Sequence, residues 1–312
     1  MTNQPFLQEV ENDSGLNNLK STQDWLKENK IFIELKLEEH GAIIFKDLPV
    51  KTAEDFDQFV SSFNYDTFIY EESLSNAVRI NKTDKVFTAN EAPREVEIFL
   101  HHEMAQTPTY PKNIFFFCKS ASETGGETPL CRSDQLYEEL LKADKALVES
   151  FEKFGVIYNS IMSSGDELIS GQGRSWQKTL GVSSKNDAEA KLSKLGYSWN
   201  WIEDDNLSVT TKTLQATKEL GNGQKSFFNQ VIAASLGWKK NSENQIAPVR
   251  FGNGEEIKES YIELISELAQ SLTLLRSWQD HDILLIDNYR VMHGRKPFAG
   301  NKNREVLVSL TN

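Results

Sequence analysis

The residues best placed to do chemistry are His101 and Glu103, which lie within the segment 99–104. Side chains two positions apart on a β-strand project from the same face, so this imidazole and this carboxylate should point together into whatever the strand lines. They supply two of the three ligands of the 2-His-1-carboxylate facial triad, which holds non-heme Fe(II) and leaves positions open on the metal. His293 is the candidate for the third ligand. If the three side chains converge, the protein is an oxygenase.

The choice among the histidines follows from strand geometry. The chain has five: His40, His101, His102, His281 and His293. His102 faces the opposite side of the strand from His101, and the residue two positions beyond it is methionine, so it cannot complete a similar pair. His40 and His281 lie in polar segments typical of turns, and we assign them no role. A chance pair on an exposed strand would show the same His-x-Glu spacing, and a lone histidine near a strand end is often a core or surface residue.

Arg304 is a candidate for binding an anionic co-substrate. It opens a predicted last strand in which Val306, Val308 and Leu310 share one face, and its position in the alternation points it inward as well. A buried cation is costly unless its charge is met, and the guanidinium fork suits a carboxylate. The alternative is an internal ion pair with Asp or Glu. Thr128 could add a hydroxyl to the same anion, or be a strand threonine without a ligand.

Other kinds of site have little support. The two cysteines, Cys118 and Cys131, form no Cys-x-x-Cys pair, which argues against a structural zinc site or a disulfide framework. There is no Gly-x-Ser-x-Gly nucleophile motif and no glycine-rich phosphate loop after a strand.

The bulk composition narrows the partners and the compartment. The net charge is −12 and the pI is about 5.0, without a cluster of Lys and Arg, so nucleic acid and anionic membranes are not expected partners. No apolar run approaches the roughly 18 residues that a membrane helix needs. The N-terminus does not resemble a signal peptide, and free cysteines suit a reducing compartment, so we expect a cytoplasmic protein.

The apolar periodicity predicts a mainly β protein with flanking helices. A capped helix should begin after Thr52, with Asp55 completing the cap and an apolar stripe that includes Phe56 and Phe59. Further helices are predicted at 19–28, 133–154 in two parts, 187–195 and 257–276. Strands are predicted at 41–45, 114–117, 127–130, 227–232, 283–286 and 304–310.

The chain shows no internal repeat, low-complexity tract or shift of composition, so one domain spanning 1–312 is expected. The first 15 residues are polar and should be loosely held. Residues 156–252 are the least periodic part, which favours an insertion or a lid that carries substrate contacts.

Several motifs together resemble a known family. They are His-His-Glu-Met-Ala-Gln (101–106), Gly-Gly-Glu-Thr-Pro-Leu (125–130), Phe-Asn-Gln (228–230), Asp-Asn-Tyr-Arg-Val-Met-His-Gly-Arg (287–295) and Arg304. In this order and at these separations, the chain resembles the Fe(II)/2-oxoglutarate-dependent dioxygenases of the taurine dioxygenase (TauD/TfdA) type, closest to the clavaminate synthase-like branch. The resemblance covers about residues 35–312.

This resemblance implies a fold, cofactors and residue roles. The fold would be a double-stranded β-helix, or jelly roll, flanked by helices. The cofactors would be Fe(II), the co-substrate 2-oxoglutarate and O2. His101, Glu103 and His293 would be the catalytic iron ligands, and Arg304 and Thr128 would bind the distal carboxylate of 2-oxoglutarate.

Two positions refine what the resemblance implies. Glu103 stands where many members have Asp and where halogenating relatives have a small residue, so it favours oxidation over halogenation. Val308 stands where taurine dioxygenase has the arginine that binds the sulfonate, so taurine is not the expected substrate.

The resulting hypothesis is oxidation, with hydroxylation favoured, of a C–H bond of an amino acid, a peptide or a carrier-tethered aminoacyl group, with release of succinate and CO2. Arg295, Asn229 and Gln106 are candidates for substrate contact. Two alternatives stay open: a non-catalytic jelly-roll protein that binds a small acid, and a zinc hydrolase that uses the same three ligands.

Overall fold

The computed structural model describes residues 6–70, 73–166, 173–238 and 246–312. Its helices are α1 (Leu19–His40), α2 (Ala53–Ser61), α3 (Ser133–Ala143), α4 (Lys145–Phe154), α5 (Trp176–Leu180), α6 (Lys185–Leu195), α7 (Val231–Gly237) and α8 (Glu259–Ser271). Its strands are β1 (Gln8–Val10), β2 (Ala42–Phe45), β3 (Phe87–Thr88), β4 (Ile98–His101), β5 (Asn113–Ser120), β6 (Thr124–Gly125), β7 (Thr128–Arg132), β8 (Val156–Met162), β9 (Ser198–Trp201), β10 (Leu207–Thr210), β11 (Lys218–Gly221), β12 (Gln224–Ser226), β13 (Val249–Phe251), β14 (Thr273–Arg276), β15 (Ile283–Asp287), β16 (Val291–Arg295), β17 (Phe298–Ala299) and β18 (Glu305–Thr311).

Two facing sheets form the centre of the molecule. One has six strands in the order β1-β2-β15-β5-β18-β3, and the other has four in the order β14-β7-β16-β4. Apolar side chains from both sheets, such as Phe116 and Val308 from the first and Leu130 and Val291 from the second, share one buried cluster. This arrangement of facing sheets is the predicted jelly roll, which is confirmed.

Helices cover the outer face of each sheet. Alternation along β5 sends Phe115 and Phe117 outward to α1 and α2, while Phe116 points between the sheets. The outer face of the four-stranded sheet contributes Cys131 and Met292 to a cluster with α3, α4, α7 and α8. The central strands of both sheets are therefore buried on both faces, and alternate residues of one strand face different layers.

The predicted capped helix is confirmed as α2. The Thr52 hydroxyl accepts from the backbone N–H of Asp55, and the Asp55 carboxylate accepts from that of Thr52. Its apolar stripe packs on the six-stranded sheet, where Phe56 stacks on Phe117 with ring centroids 5.3 Å apart. This packing fixes the helix against the outer face of β5.

Helix α1 is longer than predicted. It begins after Asn18, whose side chain accepts from the Ser21 N–H, and runs to His40 because Ile33 and Leu37 continue the buried stripe beyond residue 28. It ends at Gly41, which has a φ of 78° and donates to the Leu37 carbonyl. A Cβ on Gly41 would also lie 2.6 Å from Val291, so the glycine serves both the helix end and the packing.

The described residues of 156–252, the least periodic part of the sequence, form regular elements. They contain an antiparallel sheet in the order β13-β8-β10-β9 and a hairpin of β11 and β12. Trp176, Leu180 and Leu192 of α5 and α6 pack with Leu207 and Val209 of β10 in a separate buried cluster. Two-residue alternation in these short strands was too brief to detect by pattern.

Two predicted elements change type. The strand predicted at 227–232 is instead an extended approach to α7, because the Asn229 side chain accepts from the Val231 N–H and starts a helix rich in alanine. The helix predicted at 257–276 ends at Ser271, and the following residues form β14, which pairs with β7. No helix among the described residues has the length and apolar character to cross a bilayer.

Candidate metal centre

His101, Glu103 and His293 come together although they are far apart in the chain. His101 ends β4 and His293 lies in the middle of β16, and the two are direct cross-strand partners. One donor atom from each of the three side chains lies within 4.8 Å of the others. The Oε2 atom of Glu103 is 3.5 Å from Nε2 of His293, and both side chains are buried. The group could hold a metal ion.

Glu103 reaches this cluster by a route that strand alternation did not predict. Strand β4 ends at His101, and Glu103 lies in a turn in which Met104 has a φ of 59°. Asn288, fully buried in the turn between β15 and β16, accepts from the Glu103 N–H at 2.8 Å and donates to its carbonyl at 3.1 Å. His102 donates from Nδ1 to the Asn288 carbonyl at 2.5 Å. Side-chain and backbone bonds to Asn288 thus position the ligand.

The donor set suits Fe(II). Nδ1 of His101 donates to the Phe99 carbonyl at 2.8 Å, which leaves Nε2 unprotonated for a metal. Burial, with a contribution from His293, lowers the pKa of His101 to about 4, so the ring is neutral near pH 7. Two imidazoles and one carboxylate are the ligands of a non-heme iron site with open positions.

Arg79 pairs with the carboxylate of Glu103. Its Nη2 lies 2.8 Å from Oε1, and both side chains are at most 6% exposed. Burial alone would raise the pKa of Glu103, but the charge of Arg79 and the contact with His293 outweigh it and hold the pKa well below its usual range. The guanidinium also packs on Tyr70 and Phe87, 4.9 and 5.2 Å from their ring centroids. One carboxylate oxygen is therefore occupied, and the other faces the histidines.

Arg79 was missed by sequence reasoning. The available signal was an arginine between Val78 and Ile80, where a cation among apolar neighbours calls for a buried partner. Arg79 and Glu103 are 24 positions apart, and nothing in the sequence indicates that they form an ion pair.

Arg304 is a largely buried cation that pairs with no Asp or Glu among the described residues. It precedes β18, which has a bulge between Glu305 and Val306, and its Nη2 donates to the Gly126 carbonyl over 3.3 Å. Its Cζ lies 5.2 Å from the ring centroid of Phe298. Gly126 has a φ of 74°, and a Cβ there would lie 3.0 Å from Nε of Arg304. Glycine thus provides the room for the guanidinium, which lines the cavity and could bind an anion there.

Thr128 opens β7 and lines the same cavity as Arg304 and the three-residue cluster. This cavity has a volume of about 120 Å³. The Thr128 hydroxyl accepts from Nε1 of Trp278 at 2.9 Å, so its own proton remains available to an anion.

The three predicted substrate contacts have different surroundings. Gln106 lines the cavity, and its Oε1 is buried without a partner. Arg295 also lines it, but its guanidinium donates to the carbonyls of Asn90, Ala92, Pro93 and Val96. Asn229 is outside the cavity lining, and its amide donates to the Ala216 carbonyl while its oxygen accepts from Val231. Its neighbour Gln230 lines the cavity instead and donates to the His102 carbonyl.

Comparison with known proteins gives a consistent result. The profile of the taurine catabolism dioxygenase TauD, TfdA family matches residues 7–310. The chain is 33% identical over 286 residues to a clavaminate synthase-like protein of Arabidopsis thaliana, covering 91% of this chain and 86% of that protein. It is 27% identical over 289 residues to the dapdiamide synthesis protein DdaC of Enterobacter agglomerans, covering 88% and 83%.

Two solved structures share the fold at low identity. A taurine dioxygenase from Burkholderia xenovorans superposes with a TM-score of 0.54 at 12% identity, covering 91% of this chain and 80% of that one. PvcB from Pseudomonas aeruginosa superposes with a TM-score of 0.54 at 11% identity, covering 98% and 86%.

Proposed function

We propose a reaction for this chain, which belongs to the taurine catabolism dioxygenase TauD, TfdA family. It hydroxylates a C–H bond of an amino acid, a peptide or a carrier-tethered aminoacyl group. As a 2-oxoglutarate-dependent dioxygenase of this family, it uses Fe(II), 2-oxoglutarate and O2. The balanced reaction consumes R–H, 2-oxoglutarate and O2 and releases R–OH, succinate and CO2. We take residues 1–312 as one dioxygenase domain, which the match over 7–310 supports.

One observation carries the proposal: three side chains that could hold a metal ion line the same cavity as an arginine that pairs with no Asp or Glu among the described residues. His101, His293 and Oε2 of Glu103 would hold the iron, with Arg79 keeping Oε1 occupied. Bound Fe(II) supplies the redox chemistry that couples decarboxylation of 2-oxoglutarate to oxidation of the substrate. The protein supplies the metal ligands in a fixed arrangement.

Arg304 and Thr128 would bind the distal carboxylate of 2-oxoglutarate. The guanidinium contributes charge and a planar set of donors, and Thr128 contributes one hydroxyl proton. A zinc hydrolase would use the same three metal ligands but has no need for a dicarboxylate beside them, so this pair favours the oxygenase. A protein that only binds a small acid has no need for the metal ligands.

Succinate formation tests the proposal. The wild-type protein, loaded anaerobically with Fe(II) and then given ascorbate, 2-oxoglutarate and air, should form succinate and consume O2, whereas Zn(II) should support neither. His293→Ala should abolish both signals. His281→Asn is the matched control, because His281 lies outside the cavity and asparagine tolerates its φ of 77°. Equal succinate formation by His293→Ala and the wild-type protein would refute the assigned role.

A further inference from the structure

The segment 89–97, which connects β3 to β4, forms part of the wall of the active-site cavity. It contains no helix or strand, and its first two residues line that cavity. Residues 89–92 also line an adjoining cavity of about 100 Å³, and Arg295 and Arg304 line both cavities. The segment therefore lies beside two arginines, and it leads directly into the strand that ends at His101.

Arg295 bonds this segment through its backbone. The Nη1 atom donates to the carbonyls of Asn90 and Ala92 at 3.3 and 3.0 Å, and the Nη2 atom donates to those of Pro93 and Val96 at 2.7 and 2.9 Å. The arginine is buried, so carbonyls that lost this donor would be left without a partner at a cost in free energy. One side chain thus holds four backbone groups of one short segment.

The positive charge of Arg295 is not paired. Backbone carbonyls satisfy N–H groups but bring no net charge, and within the described residues Arg295 forms no ion pair with Asp or Glu. Glu91 and Glu95 attract it without an ion pair, whereas Arg304 repels it. The Cζ atoms of the two arginines lie 5.4 and 5.2 Å from the centroid of the same ring, that of Phe298, so the two cations are close neighbours.

This repulsion works against the segment in its place over Arg295. Because Arg295 is buried there, little water screens its charge from that of Arg304. A carboxylate bound to Arg304 would offset the repulsion. We propose that Arg295 is a positioning residue for segment 89–97 and that 2-oxoglutarate tightens its hold by neutralising Arg304. The inference rests on the proposed function, because it uses the assignment of the distal carboxylate to Arg304.

Substituting the two arginines should have opposite effects on the segment. Arg304→Met removes one of the two like charges, so Arg295 should hold the segment more tightly even without co-substrate. Arg295→Met removes the four hydrogen bonds, so the segment should open more often. If both arginines served only as packing, both variants would loosen the segment.

Amide hydrogen exchange measures how often the segment opens. The N–H groups of Glu91 and Val96 donate to the carbonyls of Val78 and Pro93, and a peptide spanning 87–99 contains both amides. The anaerobic Fe(II) protein is compared with and without saturating 2-oxoglutarate, so that no turnover occurs. The co-substrate should slow exchange in this peptide by roughly tenfold, as expected for the loss of repulsion between two poorly screened charges.

Three variants assign the effect to the two arginines. Arg304→Met without co-substrate should exchange several-fold more slowly than the wild-type protein, and 2-oxoglutarate should slow it no further. Arg295→Met should exchange faster and should not respond to the co-substrate. Arg295→Lys keeps the charge but has fewer N–H donors, so it should exchange at an intermediate rate and still respond.

Lys296→Met is the matched control. Lys296 is the next residue after Arg295 and pairs with Glu97 of the same segment, but its side chain is 39% exposed and lies outside both cavities. Loss of this pair removes a contact with the segment without changing the charge beside Arg304. The variant should therefore keep the full response to 2-oxoglutarate, even if its exchange without co-substrate is faster.

The outcomes separate this inference from the proposed function. Calorimetry on the anaerobic Fe(II) protein establishes first that 2-oxoglutarate binds. Binding without a change in exchange overturns the inference, as does faster exchange in Arg304→Met without co-substrate or a full response in Arg295→Met, and each of these results leaves the proposed function intact. Absence of binding to the wild-type protein would count against the proposed function instead, and Arg304→Met would still test the repulsion.

Discussion

The side chain of Asn288 bonds both backbone groups of Glu103, accepting from its N–H at 2.8 Å and donating to its carbonyl at 3.1 Å. The same amide donates to the Pro111 carbonyl at 2.8 Å. Because Asn288 lies in the turn before β16, it ties the carboxylate ligand to the strand that carries His293. The spacing of the ligands thus depends on one buried amide as well as on strand pairing.

Asn288→Ala should destabilise the protein and weaken the metal site. It leaves buried backbone groups of Glu103 and Pro111 without partners, which should lower the free energy of unfolding by roughly 2–4 kcal/mol. Loss of ligand positioning should weaken Fe(II) binding by about 10–100-fold. Denaturant titration and anaerobic metal titration measure the two effects. The exposed Asn303→Ala is the control, and unchanged metal affinity in Asn288→Ala would contradict the positioning role.

Arg79→Met should leave Glu103 as a buried charge without a cation. Breaking such a pair costs about 3–5 kcal/mol of stability. The double variant Arg79→Met/Glu103→Gln should recover much of the loss, because both charges are then absent. Thermal or denaturant unfolding of metal-free protein measures this coupling.

The effect of Arg79 on the metal site can also be measured by spectroscopy. The anaerobic Fe(II)–2-oxoglutarate charge-transfer absorption should change in Arg79→Met and be partly restored in Arg79→Lys. Arg94→Met removes an exposed arginine and serves as the control. An unaltered spectrum in Arg79→Met would show that Arg79 does not position the ligand.

Substitutions at Arg304 and Thr128 should act on the co-substrate. Arg304→Met should raise KM for 2-oxoglutarate by about 100-fold, and Arg304→Lys by less, because it keeps the charge but not the fork. Thr128→Val keeps the shape but removes the hydroxyl, so a rise of about 5–10-fold is expected. Succinate formation at varied 2-oxoglutarate measures both. A normal KM in Arg304→Met would assign the distal carboxylate to another group.

The two cysteines should make stability depend on alkaline pH. Burial raises the pKa of Cys118 and of Cys131 to about 12, whereas an unfolded thiol titrates near 8.5. The unfolded chain therefore loses these protons first, so stability is intact below about pH 8.5 and falls as pH rises toward 12, by about 1.4 kcal/mol per pH unit for each thiol.

Unfolding titrations between about pH 9.5 and 11, where the unfolded thiols are already ionised, measure this slope. The variant Cys118→Ala/Cys131→Ala should lose about 2.7 kcal/mol per unit of it. A thiol reagent at pH 8 should label neither cysteine in the folded protein and both after unfolding. Rapid labelling of the native protein would contradict their burial.

The sequence predicts what depends on short-range pattern or on recognised motifs. The capping pair Thr52 and Asp55, the apolar runs of β5 and β15 and the convergence of the metal ligands all follow from neighbouring residues or from the family resemblance. The pairing of Arg79 with Glu103 could not be predicted, because it depends on how the segment before β3 packs over the cavity. The hydrogen bonds from Asn288 to Glu103 could not be predicted either, because they also depend on tertiary packing.

Errors at element boundaries have a common cause. Apolar periodicity continued from α8 into β14, and only pairing with β7 distinguishes the two. Near residue 229, apolar residues favoured a strand, but the Asn229 side chain bonds the backbone two residues on and two alanines follow, and a helix forms. In both places tertiary contacts decided between similar local preferences.

The direct pairing of His101 with His293 also limits where insertions and deletions can be tolerated in this chain. Since alternate residues face opposite sides of a sheet, deleting or inserting one residue between the centre of β16 and its bulge would turn an imidazole away from its counterpart. The exposed loop at 300–303 lies outside the strands, so it can take up a change of length before the chain reaches Arg304 and β18. Natural insertions and deletions should therefore accumulate after β17 and be purged within β16.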